Sequence, residues 1–383
     1  MSGALEKIRV LDFSAMIAGP YCTRLLADLG ADVVKVEPPE GDFMRSGQPL
    51  REAADGSSHS AYFGTLNAGK HSVAIDMKAA EGKRLVLELA AKADVVVENF
   101  RPGVMQRLGL DYDSLARINP RLVYCSISGY GQTGAAAGLP GYAPIMHAAS
   151  GYELATLAYQ DGLDRPLKSG IFIADVLSGS LAFGGINAAL VRRERTGQGE
   201  HVDVSLMDCM LGLMVYECQE AQFPAKFRRP LYRPVKARGG FLIVAPISHA
   251  NFEAMARACG HPEWITDPRF AGTARRSNWD ALMDLLDQWA GERSVEDCET
   301  AMRDGGVPCS RYQTVIEAMA SDAVTSRGTF GTVRDGAGEY LSPNPPFKMR
   351  NSEARVREQI PALGTGNAKV IAQWLGRTSG DFR

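Results

Sequence analysis

Residues 8–37 read IRVLDFSAMIAGPYCTRLLADLGADVVKVE, and this stretch decides the fold. IRVLDF (8–13) is an apolar, β-branched run that predicts a strand. The residues after Gly19-Pro20 predict a helix that stops near Gly30, and DVVKVE (32–37) predicts a second strand. Outward from there, SVAIDM (72–77), DVVVENF (94–100) and LVYCSIS (122–128) predict three more strands, with an amphipathic helix over 79–92. Strands this uniformly apolar, alternating with helices, imply a parallel sheet buried on both faces, so the N-terminal third is an open α/β domain.

The rest of the chain changes character. Residues 176–194 and 203–220 predict two long helices, and PAKFRRPLYRPVKARGG (224–240), rich in proline and arginine, marks a boundary. Beyond it, residues 239–320 read as an α+β module: GGFLIVAP predicts a strand pair, and 250–260, 278–290 and 294–304 predict helices. A last helix is expected near 367–376.

Composition narrows the function classes. The chain has 383 residues, more than one domain of ordinary size, and 42 basic against 44 acidic side chains leave a net charge of -2. That balance excludes the electrostatic footprint of a general nucleic-acid or anionic-membrane binder. Seven cysteines, with no C-x-x-C and no Cys/His cluster of ligand spacing, argue against a disulfide framework and a metal site and favour a reducing cytoplasm. No signal peptide is visible at MSGALEKIRVLDF, and the apolar stretch 174–191 carries Asp175, Ser178, Ser180 and Asn187, so it reads as a buried helix rather than a membrane span.

Two motifs tempt and fail. GYGQTG (129–134) matches G-x-G-x-x-G, with Glu153 nineteen residues beyond, but AAAGLPG follows where a dinucleotide site needs a helix. GTLNAGK (64–70) has the spacing of a phosphate loop but ends in His71 where a magnesium-binding hydroxyl belongs, and reads as a turn before a strand. Asp175 is a stronger candidate. In IFIADVLSGSLAFGGINAAL (171–190) it lies between a β-like run and a small-residue helix, at the N-cap or in the first turn. Either it is a structural cap, or the helix end keeps it ionised as a poised nucleophile in a glycine-lined pocket.

Several phrases now point one way. They are VLDFSAMIAGPYCTRLLADLGADVVKVEPPEGD (10–42), LNAGKHSVAIDMK (66–78), ADVVVENFRPG (93–103), SGYGQTG (128–134), NAALVRRERTGQGEHVDVSLMD (187–208) and DGGVPCSRYQTVIEAM (304–319). As an ordered set spanning nearly the whole chain, they resemble the family III CoA-transferases and their relatives, the α-methylacyl-CoA racemases. The resemblance implies a Rossmann-like large domain of residues 1–222 closed by a returning segment, 326–383, with a small α+β domain at 223–325 and an interlocked homodimer. It implies that Asp175 is the covalent carrier of a transfer needing no metal or bound cofactor, with coenzyme A esters as substrates. It places Ala18 and Tyr142 at the active-site wall, and Ile75, Lys78, Asn99, Phe100, Arg101 and Arg107 on CoA, the cations on phosphates and Ile75 and Phe100 at the adenine.

The chain also departs from its relatives. Ile17 and Ala143 replace a glutamine and a glutamate of the formyl-CoA enzymes, and a run of four glycines is missing, which argues against oxalate or formate. The cationic segment with Arg228, Arg229, Arg233, Lys236 and Arg238 is a candidate for holding the distal carboxylate of a dicarboxylic acid such as succinate, or else a solvated linker. The alternatives are a racemase, for which Tyr142 is a poor base and His249 a lone candidate, and a silent acyl-CoA-binding subunit.

Overall fold

The strand β1 (Arg9–Asp12) lies at the centre of a six-stranded sheet with β2 (Asp32–Glu37), β3 (His71–Ala74), β4 (Val95–Glu98), β5 (Val123–Ser128) and β6 (Glu200–Ser205), in spatial order 3-2-1-4-5-6. All five pairings are parallel. The structure, a computed structural model, describes residues 2–225 and 231–377. The strand order reverses between β1 and β4, so loops leaving the carboxyl ends of these two strands diverge to opposite sides and leave a crevice, the usual ligand position in a doubly wound sheet.

Alternation along β1 explains why its run is apolar throughout. Val10 packs into one core with Leu26 of helix α1 (Ala18–Asp28), while Leu11 packs into a second core with Val86 and Leu89 of helix α3 (Ala80–Ala90), on the other face. Between them in sequence, α2 (Ala61–Asn67) lies against α1. The first core also takes α4 (Ala143–Ala149), α5 (Ile173–Thr196) and α6 (Leu206–Leu213). Helix α5 buries Ala174, Ser178, Ala182, Ile186 and Ala189, at helical spacing, and exposes Val176, Leu181 and Val191. The helix read from the sequence as buried is therefore buried along one stripe. Two of its three glycines serve close packing: a Cβ on Gly179 would meet the Ala18 carbonyl oxygen at 2.5 Å, and one on Gly185 would meet Val202 at 2.8 Å, while Gly184 faces open space.

Two expectations are corrected. The stretch 203–220 is not one helix: Asp203 to Ser205 end the edge strand β6, and the helical part breaks at Met214 before Val215–Gln222. GGFLIVAP is not a strand pair but one strand, Gly240–Val244, flanked by Val235–Ala237 and Cys309–Arg311 in an antiparallel three-stranded sheet.

The chain divides into two compact units, residues 1–222 with 326–383, and residues 223–325. The second unit has its own core of Phe252, Met255, Leu282, Leu286, Trp289 and Met302. In the first, the returning segment forms a hairpin, Phe330–Asp335 with Gly338–Pro343, and then runs along the sheet edge, where the Asn367 side chain accepts from the Ala74 N–H at 3.0 Å and Trp374 donates to Asp32 at 2.7 Å.

Candidate active site

The loop after β1 is built to hold an unusual shape. Met16 adopts a left-handed backbone, φ 64°, which costs an ordinary side chain of order 1–3 kcal/mol. It is held by what lies on either side. The Asn99 side chain, just beyond β4, accepts from the Ala15 N–H at 2.9 Å and donates to the Ala15 carbonyl at 2.7 Å, bridging the switch-point crevice as a strand would. Beneath the loop, Asp12 accepts from the Ser14 N–H at 2.9 Å and from Thr23 at 2.7 Å, and pairs with Lys70 at 3.0 Å. Lys35 donates to the Ser14 carbonyl at 2.7 Å and pairs with Asp42 at 2.9 Å. Lys70, the lysine of the phosphate-loop decoy, is thus spent inside the protein.

The loop ends at Ala18, which is buried, and the Ala18–Gly179 contact sets α1 against α5 one turn beyond Asp175. Asp175 lies in the first turn of α5, whose N-cap, Phe172, has no side-chain acceptor. Its carboxylate makes no hydrogen bond or ion pair among the described residues, and burial pushes its pKa up to about 6. Desolvation therefore makes the group a weaker acid than the helix end alone would favour. At pH 7 the carboxylate form still predominates, stripped of much of its water and without a partner.

Two residues that the sequence did not single out adjoin it. Tyr62, on α2, has its phenol pKa raised first by burial and then by the Asp175 charge. His147, on α4, is buried, and its Nε2 accepts from the Ala174 N–H at 3.2 Å. Helix α4 is placed by the GYGQTG segment: a Cβ on Gly141 would lie 2.6 Å from the Gly129 Cα, so only glycine permits this approach. Asp203 of β6 accepts from the Gln132 N–H and fixes the turn at Gly131. Tyr142, at the N-cap of α4, is 59% exposed.

The residues expected on CoA fall into three groups. Lys78, Arg101 and Arg107 are exposed and belong to no ion pair among the described residues, as phosphate contacts would require. Phe100 is half-buried against the second core, and Asn99 is committed to Ala15 rather than free. Ile75 is 6% exposed and sits in that core under α3, so its side chain is not presented as an adenine platform.

In the smaller unit, Arg233 pairs with Asp284 and, at 2.8 Å, with Asp287, which corrects its reading as a free carboxylate ligand. Arg228 and Arg229 lie outside the described residues. Lys236 and Arg238 are exposed. His249 begins a helix capped by a Ser248–Asn251 capping box and contacts Glu253 at 3.3 Å and Arg275 at 3.4 Å, the surroundings of a surface histidine.

A doubly wound sheet thus carries, on the helix that packs against Ala18, a half-desolvated carboxylate with no partner among the described residues. The profile of CoA-transferase family III matches residues 5–367, and the chain belongs to that family. It is 33% identical to a succinate–glutarate CoA-transferase of Agrobacterium fabrum over 96% of this chain and 95% of that protein. An acetyl-CoA:oxalate CoA-transferase of Acetobacter aceti is 38% identical over 91% of this chain and 89% of that protein. The crystal structure of a CAIB/BAIF family protein from Brucella suis superposes with a TM-score of 0.86 at 32% identity, covering 98% of this chain and 100% of that one. The protein is an enzyme, a CoA-transferase acting on acyl-CoA and carboxylate substrates.

Proposed function

We propose that this CoA-transferase moves CoA from an acyl-CoA to a free carboxylic acid through a covalent intermediate on Asp175. The observation that carries this reading is the Asp175 carboxylate itself, raised to about 6 by burial and without a partner. A carboxylate that shares its charge with a lysine is a weak nucleophile; one that has lost water and gained nothing in return is activated.

Attack of Asp175 on the thioester carbonyl forms a mixed anhydride and releases CoA thiolate. The thiolate then attacks the aspartyl carbonyl, giving an aspartyl-CoA thioester and the free donor acid. The acceptor carboxylate repeats the sequence in reverse, and Asp175 is regenerated. The Asp175 N–H, which has no acceptor among the described residues, is available to the developing oxyanion. Lys78, Arg101 and Arg107 hold the CoA phosphates, with Phe100 near the adenine; Ala18 and Tyr142 line the thioester end.

For the acceptor, a dicarboxylic acid is the better candidate, supported by relatives that act on succinate and glutarate and on citramalate. Arg233, being paired, gives that choice no support. The exposed apolar side of α5 is consistent with a homodimer, and seven free cysteines with a reducing cytoplasm.

The test is incubation with acyl-CoA followed by mass spectrometry. A hydroxylamine-sensitive adduct is expected on Asp175, with exchange into succinate and no deuterium uptake at the α-carbon of a 2-methylacyl-CoA. Exchange that persists in Asp175→Ala would overturn the assignment, and rapid deuterium uptake without acid exchange would make the enzyme a racemase.

A further inference from the structure

We propose that His147 is a positioning residue for Asp175, acting as a neutral cap on the first turn of α5. This assignment rests on Asp175 being the nucleophile. An α-helix begins with N–H groups that have no partner inside it, and a side-chain oxygen at the N-cap ordinarily accepts from one of them. Phe172 cannot do this. The Ile173 N–H turns back to the Ile171 carbonyl at 3.0 Å, and the Ala174 N–H meets the His147 Nε2 at 3.2 Å. The acceptor comes from a different helix, 27 residues earlier in the chain, so the bond ties α4 to the peptide unit that precedes the nucleophile.

The surroundings set the protonation state. An Nε2 that accepts is unprotonated, so the ring proton is on Nδ1. The ring is 1% exposed and lies against Tyr152, centroids 5.7 Å apart, and it faces the positive end of a helix. An imidazolium there would lose the hydrogen bond and oppose the dipole. Burial accordingly holds the pKa of His147 below the usual range, against the opposing pull of Glu153.

The division of the first turn gives the cap its purpose. With the Ile173 and Ala174 amides occupied, the Asp175 N–H is the one left for a reacting oxygen among the described residues, and its own peptide plane follows directly on the Ile173–Ala174 plane that His147 anchors. The CoA phosphates would be held elsewhere, on Lys78, Arg101 and Arg107. Loss of the cap should therefore lower kcat and leave KM for acyl-CoA nearly unchanged.

The experiment compares His147→Gln, which keeps an acceptor at about the same reach, with His147→Phe, which keeps a ring and removes the acceptor. The Phe variant is expected to lose roughly ten- to a hundred-fold in kcat, the scale of a small displacement of a reacting group, with KM for acyl-CoA within about two-fold. The Gln variant is expected to recover most of kcat. Hydrogen–deuterium exchange of the peptide spanning residues 170–180 should accelerate in Phe and not in Gln. Equal kcat in the two variants, or unchanged exchange in Phe, would overturn the proposal. If Phe does not fold, Gln decides: a folded Gln variant that has lost more than about ten-fold in kcat refutes a role based on accepting a hydrogen bond. Exchange activity retained by Asp175→Ala would instead refute the nucleophile assignment, while the exchange data would still report on the cap.

Discussion

Asp12 and Asp175 are two aspartates shielded from water in the same unit, and the fold treats their charges in opposite ways. Burial alone would push Asp12 up, but Lys70 and Lys35, with hydrogen bonds from Ser14 and Thr23, hold its carboxyl below the ordinary range. Asp175 undergoes the desolvation without the compensation and rises to about 6. The difference separates scaffold from proposed reagent: a satisfied carboxylate fixes the loop that ends at Ala18, and the unsatisfied one on the adjoining helix is the group we propose to react. Polar loops that shape an active site need such support beneath them, while the reacting group itself must go without it.

That contrast can be broken in several ways. Asp175→Ala should cost the largest factor, about 10³ or more in exchange rate, because no neighbouring carboxylate stands in, and the proposed covalent adduct should vanish with it. Asp12→Ala should leave buried Lys70 without its carboxylate, while Lys35 keeps its pair with Asp42, and cost about 3–5 kcal/mol in urea denaturation, with Lys70→Met in the same chain recovering part of the loss. Gly141→Ala should cost about 1–3 kcal/mol, read as a lower Tm, because the new methyl meets backbone at Gly129.

Asp175→Asn should instead stabilise the protein. A group whose folded pKa is raised from 3.8 to about 6 contributes stability that is present below pH 4 and lost as pH rises through 6. Removing the charge should therefore add ~1–3 kcal/mol at pH 8 and almost nothing at pH 4, the upper figure being the full shift without solvent screening. Matched denaturation curves at the two pH values check this, and an Asn variant less stable at pH 8 would show that Asp175 has a partner after all. The same shift predicts that exchange activity falls below about pH 6, where the proposed nucleophile takes up its proton.

The central strands were legible in the sequence because burial on both faces keeps most positions of β1, β2, β4 and β5 apolar, and their few buried polar residues, such as Lys35 and Glu98, do not break the run. Edge strand β6 escaped because EHVDVS alternates and is half solvated, so its last residues merged with the helix that follows. Asp175 stood out through its place between an apolar run and a small-residue helix, but the rise of its pKa did not, since a helix end is visible in a sequence and desolvation is not. The bridge from Asn99 to Ala15 and the bond from His147 to Ala174 join residues 84 and 27 apart, and no local pattern encodes either. His147 left only a faint trace, a single polar ring within the short helix that Pro144 opens.

The returning segment has a consequence for how the enzyme is made. Asp32 waits for Trp374, 342 residues downstream; Arg24 waits for the Pro343 carbonyl; and Ser72 waits for the Gly364 N–H, 3.0 Å away in the finished fold. During synthesis the sheet edge at β3 and the buried end of α1 must therefore remain unfinished while the whole smaller unit is translated. Contacts of such separation slow folding, and the exposed apolar surface invites association in the meantime. Chains cut short before residue 343 should accordingly accumulate as aggregates even though they contain every strand of the sheet and Asp175 itself.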